Sequence, residues 1–180
     1  MQALQELLPK LNIVNLVATA DLNQLVNLQM LVGIEGFRYD PTVYRCAYLK
    51  DSEMKGKVSI FSTGRMICVG AKGLEDARLD LEYAARKVAK LRLIKPTKLV
   101  VKLRNIVATG GLGKPIDIER LATRPNVLYE PEQFSGAIYY AEELEGASVL
   151  VFASGKVVFA GLKSLRLLES ARHILRKLDE

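Results

Sequence analysis

The side chains that could perform catalysis are few, and they are not arranged in a catalytic pattern. His173 is the only histidine, and no nucleophile or acid stands at motif spacing from it. Cys46 and Cys68 lack the paired spacing of a zinc site. The stretch ATGGLGKP (108–115) lacks the first glycine and the final hydroxyl residue of a phosphate loop. We therefore expect no enzyme activity, no cofactor and no metal site.

The composition indicates a globular protein with a mild preference for anionic partners. Of 180 residues, 49% are hydrophobic and 26% are charged, which excludes a disordered tail. Lys and Arg number 26 against 20 Asp and Glu, a net charge of +6, and this excess favours a polyanion such as nucleic acid.

The sequence also indicates where the protein works. No apolar run approaches the roughly 18 residues of a membrane-spanning helix, so we expect no membrane partner. The N-terminus MQALQELLPK lacks the basic flank and apolar core of a signal peptide. Two cysteines are too few for a disulfide framework and suit a reducing compartment. We expect an intracellular protein.

The chain contains two copies of one pattern of about ninety residues. The matched blocks are NLVATADL (15–22) with NIVATGGL (105–112), YDPTVY (39–44) with YEPEQF (129–134), and IFSTGRMICVGAKG (60–73) with VFASGKVVFAGLKS (151–164). The offset is 90 for the first two blocks and 91 for the third, so one residue was gained in the loops KDSEMKGK and AEELEG. Solenoid repeats have periods of about 20–50 residues. Two fused half-domains therefore fit better.

Each half shows the same order of predicted elements. A strand is followed by a short helix, which in the first half is LNQLVNLQMLVG ended by Gly33, and then by further antiparallel strands. The segment KVSIFSTGRMICVGAK predicts a hairpin with a tight turn. It is followed by a predicted amphipathic helix over 74–91, and residues 164–178 match this helix in the second half. This pattern predicts an α+β fold with the helices on one face of the sheet. The other face, carrying Val17, Phe61, Ile67 and Val69, is too apolar for free solvent and predicts a partner there.

Residues 11–178 resemble the TATA-box-binding protein family. The resemblance rests on the duplicated Asn-(Ile/Leu)-Val-Ala-Thr, on Tyr-Glu-Pro-Glu-Gln-Phe at 129–134, and on the two Phe-x-(Ser/Thr)-Gly-(Lys/Arg) hairpins at 61–72 and 152–163. It implies two pseudo-symmetric repeats, 11–97 and 98–180, after an N-terminal extension of residues 1–10. Together the repeats would form one saddle-shaped, ten-stranded antiparallel sheet with four helices on the convex face.

The resemblance also implies a function. The protein would be a general transcription initiation factor that binds and bends A·T-rich promoter DNA through the minor groove and recruits transcription factor B and RNA polymerase. Without DNA, a weak homodimer through the concave face is expected. The short N-terminal extension is similar to archaeal members, which places the protein in the cytoplasm at the nucleoid, whereas a eukaryotic member would be nuclear. The alternative is a divergent member that regulates the transcription machinery as a protein-interaction module with weak or no DNA binding.

The family's DNA-binding positions carry over residue by residue. Asn15 and Asn105 match central asparagines whose amides donate to A·T pairs, although an asparagine at such a place also stabilises a local turn. The aromatic positions that wedge between base steps are Phe134 with Phe152 and Tyr44 with Phe61. Phosphate-contacting positions are Lys50, Arg65, Lys72, Lys156 and Lys163. The remaining groove-facing positions are Val17, Ile67, Val69, Val107, Ile138, Val158 and Ala160.

Several positions depart from the family pattern. Val69 and Ala160 replace threonines, and Tyr140 replaces an arginine, so the predicted site has lost two hydroxyls and a cation. Tyr44 replaces a phenylalanine, which predicts weaker or altered kinking at that end. The predicted protein-binding acids are Glu130, Glu132, Glu142, Glu143 and Glu145, with a solvated surface as the alternative. A tract of nine basic residues over 86–114 would contact a protein or upstream DNA, with a solvated helix end and linker as the alternative.

Overall fold

The structure is a computed structural model that describes residues 10–179. Within that range the chain divides into two compact units. The N-terminal unit consists of residues 15–104, and the C-terminal unit consists of residues 105–179 together with residues 10–14. Residue 15 begins the block NLVATADL and residue 105 begins its repeat, NIVATGGL, so each unit contains one copy of the repeated sequence pattern.

Five antiparallel strands and one long helix form the N-terminal unit. The strands are β1 (Asn12–Asp21), β2 (Phe37–Arg38), β3 (Cys46–Leu49), β4 (Lys57–Phe61) and β5 (Arg65–Ala71). Their order across the sheet is β2-β3-β4-β5-β1, with antiparallel pairing throughout. The helix α1 (Leu74–Lys90) follows β5, as the sequence predicted.

The C-terminal unit repeats this arrangement. Its strands are β6 (Lys102–Gly111), β7 (Val127–Leu128), β8 (Ala137–Tyr140), β9 (Ser148–Val151) and β10 (Lys156–Leu162). Their order is β6-β10-β9-β8-β7, which matches the N-terminal unit strand for strand. The short helix α2 (Ile118–Leu121) precedes β7, and the long helix α3 (Arg166–Asp179) ends the unit.

In the N-terminal unit, the long helix α1 covers one face of the sheet. On β1, Leu16 and Ala18 are fully buried, whereas Val17 and Thr19 are half-buried. Since successive side chains of a strand point to opposite faces, the first pair faces the core and the second faces away from it. Helix α1 packs against β4 and β5, and α3 packs against β10 in the C-terminal unit. Acidic residues in the first turn of α1 and lysines in its last turn complement the helix dipole.

The expectation of four helices is wrong for the described residues 10–179, where three α-helices are present. The segment predicted as a helix ending at Gly33 contains only a four-residue 3-10 turn, Leu28–Leu31. The first residues of the predicted helix are bonded to the hairpin instead: Leu22 N donates to Gly64 O at 3.0 Å and Val26 N donates to Ser62 O at 2.9 Å. The helical turn therefore begins only after Val26 and is short, as it is in the C-terminal unit, where Leu112 N and Ile116 N donate to the hairpin in the same way before α2.

The β4–β5 and β9–β10 hairpins are confirmed, and each turns at a glycine with positive φ. Gly64 has φ of +91° and Gly155 has φ of +82°, a region that disfavours residues with a Cβ atom. A Cβ at Gly64 would collide with the carbonyl of Gln24, and one at Gly155 would collide with the carbonyl of Lys114. No helix within residues 10–179 is long and apolar enough to cross a membrane.

Candidate nucleic-acid interface

We call the sheet face opposite the long helix the open face of each unit. In the N-terminal unit, strand registers place Tyr48 beside Ser59, Ser59 beside Ile67, and Ile67 beside Thr19. Paired residues of antiparallel strands share a face, so these four side chains form one row across the sheet. Arg38 of β2 extends the row beyond Tyr48. The predicted residues Val17 and Val69 are also paired on this face.

The open face of the C-terminal unit is more apolar. Its corresponding row runs Leu128, Ile138, Leu150, Val158 and Thr109. The predicted Val107 and Ala160 are paired on the same face. Where the C-terminal unit has leucine and isoleucine at the outer end of the row, the N-terminal unit has arginine, tyrosine and serine. The two open faces therefore differ most at the strands farthest from β1 and β6.

Asn15 is held by a local hydrogen bond that fixes the orientation of its amide. The backbone N–H of Gly70 donates to Asn15 Oδ1 at 2.9 Å. Gly70 has φ of +93° and lies beside the register shift between β1 and β5, so the bond forms at a bulge. With its oxygen engaged, Asn15 presents its NH₂ group as a donor. Asn105 has no equivalent bond within residues 10–179.

Phe134 and Phe152, which the sequence analysis placed together as a pair, contact each other. Their ring centroids lie 5.7 Å apart with an interplanar angle of 68°, an edge-to-face geometry favoured by aromatic pairs. Both rings are half-exposed. In the N-terminal unit, Tyr44 instead contacts Tyr48, with centroids 5.2 Å apart and an interplanar angle of 85°. The sequence prediction paired Tyr44 with Phe61 and did not include Tyr48.

The predicted phosphate-contacting side chains fall into two groups. Arg65, Lys72, Lys156 and Lys163 are exposed, and none forms an ion pair within the described part of the chain. Lys50 differs, because its ammonium donates to the carbonyls of Met54, Lys55 and Gly56 at 2.6, 3.2 and 2.9 Å. These bonds close the loop between β3 and β4 around Lys50.

A basic depression lies at one end of the open face of the N-terminal unit. It has a volume of about 780 Å³ and is lined by Thr19, Arg65, Lys102, Arg104 and neighbouring residues. Arg104 Nε donates to Thr19 Oγ1 at 2.9 Å, which fixes the guanidinium against β1. The lining also includes Asp21, so three cations against one carboxylate leave a net positive depression that suits an anionic group such as a phosphate. Sequence analysis placed Lys102 and Arg104 only in the basic tract.

Helix α1 anchors the loop over residues 50–56. Asp80 is 3% exposed and accepts hydrogen bonds from the N–H of Gly56 at 2.6 Å and of Lys55 at 3.2 Å. Burial, reinforced by the nearby Asp80 carboxylate, raises the pKa of the Cys68 thiol to about 12. This thiol lies 3.8 Å from Asp80 Oδ2. The buried carboxylate thus ties the loop to both α1 and β5.

A second anchor joins the same loop to α1. The hydroxyl of Tyr83 donates to Asp51 Oδ2 at 2.5 Å, and Lys87 Nζ lies 3.2 Å from the same oxygen. The Tyr83 hydrogen bond is the main cause that lowers the pKa of Asp51, and the Lys87 ammonium adds to it. The same bond raises the pKa of Tyr83 to about 12. Lys87, a member of the basic tract, is therefore engaged within the unit.

The predicted protein-binding acids lie at both ends of β8. Glu130 and Glu132 precede this strand, whereas the other three follow it. Glu143 forms an ion pair with Lys177 at 3.2 Å, and Glu145 pairs with Arg166. Both partners belong to α3, so two of the five acids hold the loop against the helix.

A family model described as "Transcription factor TFIID (or TATA-binding protein, TBP)" matches residues 10–91 and again residues 100–180. The chain belongs to the TATA-binding protein family. This confirms the resemblance expected from the duplicated blocks, and the two matched segments correspond to the two copies of the pattern. The family consists of transcription factors and not of enzymes.

Relatives and a solved structure agree with this assignment. The TATA-box-binding protein of Cenarchaeum symbiosum is 38% identical over 155 residues, 84% of this chain and 84% of that protein. The TATA-box-binding protein of Pyrococcus horikoshii is 32% identical over 174 residues, 95% of this chain and 91% of that protein. The structure of Methanococcus jannaschii TBP matches with a TM-score of 0.80 at 28% identity, covering 94% of this chain and 99% of that chain. The α+β fold class is thereby confirmed.

The open faces of this TATA-binding protein family member contain residues that sequence analysis missed. Tyr48 lies 90 residues before the predicted Ile138, so the repeat offset could have identified it. Ser59 and Leu150 lie on the corresponding rows of the two units, and each alternates with buried residues of its strand, β4 or β9. Strand parity was the signal for both. Lys57, which lies over the Tyr48 ring, could be found only from the structure.

Proposed function

We propose that this protein is a general transcription initiation factor that binds A·T-rich duplex DNA through the minor groove and bends it. The observation that supports this best is the orientation of Asn15. Its oxygen is engaged by Gly70 N–H, so its NH₂ group is offered as a donor on a face lined by Val17 and Ile67. In the minor groove, A·T pairs present only acceptors, whereas G·C pairs add a donor. A fixed donor among apolar side chains therefore suits A·T pairs and not G·C pairs.

Bending is supported by the aromatic pair of the C-terminal unit. Phe134 and Phe152 form a half-exposed pair near the outer end of the open face. Insertion of such rings between base steps unstacks them and kinks the duplex, which allows the DNA to cover more protein surface. The apolar row of Ile138, Leu150 and Val158 offers that surface.

Affinity would come mainly from phosphate contacts. Arg65, Lys72, Lys156 and Lys163 are exposed around the open faces, and the depression at Arg104 adds two further cations. Neutralising phosphates releases counterions and makes binding salt-dependent. These contacts position the protein, while Asn15 and Asn105 select A·T pairs.

The partners that we propose follow from family membership. They are transcription factor B, through exposed acids such as Glu130 and Glu132, and through it RNA polymerase. In the absence of DNA, the apolar open face would associate weakly with a second copy of the chain. The site of action would be the cytoplasmic nucleoid, since archaeal relatives match over most of the chain.

The proposal is tested with a short A·T-rich duplex labelled with a fluorescent donor and acceptor at its ends. Wild-type protein should increase energy transfer by shortening the end-to-end distance. Phe152→Ala should lower both transfer and affinity, whereas Leu79→Ala, on the exposed surface of α1, should leave both unchanged. Absence of binding to A·T-rich DNA at low salt would refute the proposal.

The second candidate is an interaction module that binds the transcription machinery with little DNA binding. Tyr140, half-exposed where the family has an arginine, favours it. The same assay separates the candidates, because the module predicts no energy transfer change while transcription factor B still binds in a pull-down with purified components.

A further inference from the structure

The N-terminal unit carries an aromatic and basic cluster in which Arg38 and Tyr48 stand where the C-terminal unit has Leu128 and Ile138. Tyr48 on β3 contacts Tyr44 edge-to-face at 5.2 Å. Lys57 Nζ lies 4.6 Å from the centroid of the Tyr48 ring, within cation–π range. Arg38 on β2 is paired with Tyr48. Together they line a depression of about 630 Å³. We call these four residues the tyrosine cluster.

Gly136 explains why the aromatic pair of the C-terminal unit forms where it does. Ala137 is paired with Val151, so Gly136 lies opposite Phe152. A Cβ atom on Gly136 would lie 2.8 Å from Phe134 Cε1 and 3.1 Å from Phe152 Cε1. Such approaches are too close for carbon atoms. A side chain at this position would therefore require the two rings to shift from the positions that they occupy above Gly136.

The N-terminal unit has Cys46 at the equivalent position, 90 residues earlier, paired with Phe61. Its side chain is buried, where the C-terminal unit has a glycine beneath Phe134 and Phe152. Among the described residues, Phe61 has no ring partner, and Tyr44 contacts Tyr48 instead. In the N-terminal unit, the aromatic contact thus involves Tyr48 on β3 instead of Phe61 on β4.

The neighbouring residues accommodate the displaced pair. Ser59 lies opposite Tyr48, where the C-terminal unit has Leu150 opposite Ile138. The smaller side chain leaves room for the tyrosine ring.

We propose that the tyrosine cluster is the base-stacking DNA site of the first repeat, with Tyr48 and not Phe61 as the ring that stacks on the unstacked base step. Aromatic rings stack on every base, and the cations of Lys57 and Arg38 meet the flanking phosphates. This inference rests on the proposed function. It adds that the two ends of the bound duplex are kinked by different chemistry, tyrosines with cations at one end and phenylalanines at the other.

The test uses an A·T-rich duplex with 2-aminopurine at both outer base steps, because unstacking raises its fluorescence. Binding is followed separately by anisotropy at low salt. Tyr48→Ala should lower affinity about tenfold or more, the range for removal of a stacking ring, and should remove about half of the fluorescence rise. Tyr48→Phe keeps the ring and should restore both. Phe61→Ala should have a smaller effect than Tyr48→Ala on both readouts.

The Phe152→Ala variant, which lacks the wedge of the second repeat, is used as a starting point for further substitutions. In this variant the interpretation of the fluorescence does not depend on the orientation of the protein on DNA. In Phe152→Ala, the remaining fluorescence rise comes from the first repeat, and adding Tyr48→Ala should abolish it. The double variant Cys46→Gly with Tyr44→Phe restores space for the pair above β4, and its fluorescence rise should then depend on Phe61. Leu79→Ala serves as the control for folding and binding.

The two proposals fail in different ways. If wild-type protein does not bind the duplex, the proposed function is refuted. If Phe152→Ala lowers the fluorescence rise while Tyr48→Ala behaves as wild type and Phe61→Ala loses the other half, the function stands and the tyrosine cluster is wrong.

Discussion

The carboxylate of Asp80 accepts a hydrogen bond from the backbone N–H of Gly56 at 2.6 Å, and this bond holds the β3–β4 loop against α1. Both groups are buried. The same carboxylate takes a second N–H from Lys55. A helix residue therefore determines the conformation of a loop at the edge of the candidate DNA-binding surface.

Asp80→Ala should destabilise the N-terminal unit. It leaves the N–H groups of Lys55 and Gly56 without an acceptor, and a buried unpaired donor costs about 1–3 kcal/mol. Urea unfolding should show a loss of about 2 kcal/mol or more. Asp76→Ala, on the same helix but without a hydrogen bond to the loop, is the matched control. Equal stability of the two variants would contradict the anchoring role of Asp80.

Asn15 should contribute to the choice of A·T over G·C sites. Asn15→Ala removes the NH₂ donor and should lower the ratio of the two affinities roughly fivefold, as expected for one hydrogen bond of about 1 kcal/mol. Asn15→Asp keeps an acceptor for Gly70 N–H but has no donor for the groove, so it should lose the preference without losing stability. Titrations of matched duplexes measure the ratio. An unchanged ratio in both variants would remove Asn15 from base recognition.

The lysines should separate by the salt dependence of binding. Lys156 is exposed and free to meet a phosphate, so Lys156→Ala should reduce the slope of log K against log salt by about one unit. Lys50 donates to three carbonyls of its own loop, so Lys50→Ala should leave the slope nearly unchanged and lower the free energy of unfolding. The reverse assignment of the two slopes would show that Lys50 contacts phosphate in the complex.

Much of the fold could be predicted from the sequence because the sequence contains two copies of the same pattern. The blocks at 60–73 and 151–164 gave the hairpins, and the apolar stripe that includes Leu81 gave α1. The length of the helix before Gly33 could not be predicted correctly, because backbone bonds to a hairpin forty residues later engage its first residues. Local propensity contains no information on such bonds.

The candidate site was predictable where both repeats agree and not where they differ. Asn15 and Phe152 were found by matching the copies. Tyr48 was missed because its side chain differs in kind from that of its counterpart Ile138, although the repeat offset marks the position, and its contact with Tyr44 is seen only in the structure. The engagement of Lys50 likewise depends on the course of the loop, which sequence spacing does not determine.

Asp51 should make the stability of the N-terminal unit depend on pH in the acid range. Hydrogen bonding by Tyr83, with Lys87 beside it, lowers the pKa of Asp51 in the folded state, whereas the unfolded value is about 3.9. A depressed folded pKa contributes stability that is fully present above the unfolded value and is lost as the pH falls through the folded value. Asp51→Asn should therefore cost about 1.5 kcal/mol at pH 7, the lower end of the range for a hydrogen bond to a charged group, and progressively less below pH ~4. Carboxyl NMR titration checks the pKa directly, and Tyr83→Phe should raise it. A deficit in Asp51→Asn that stays constant from neutral to acid pH would show that the carboxylate charge is not what stabilises this loop.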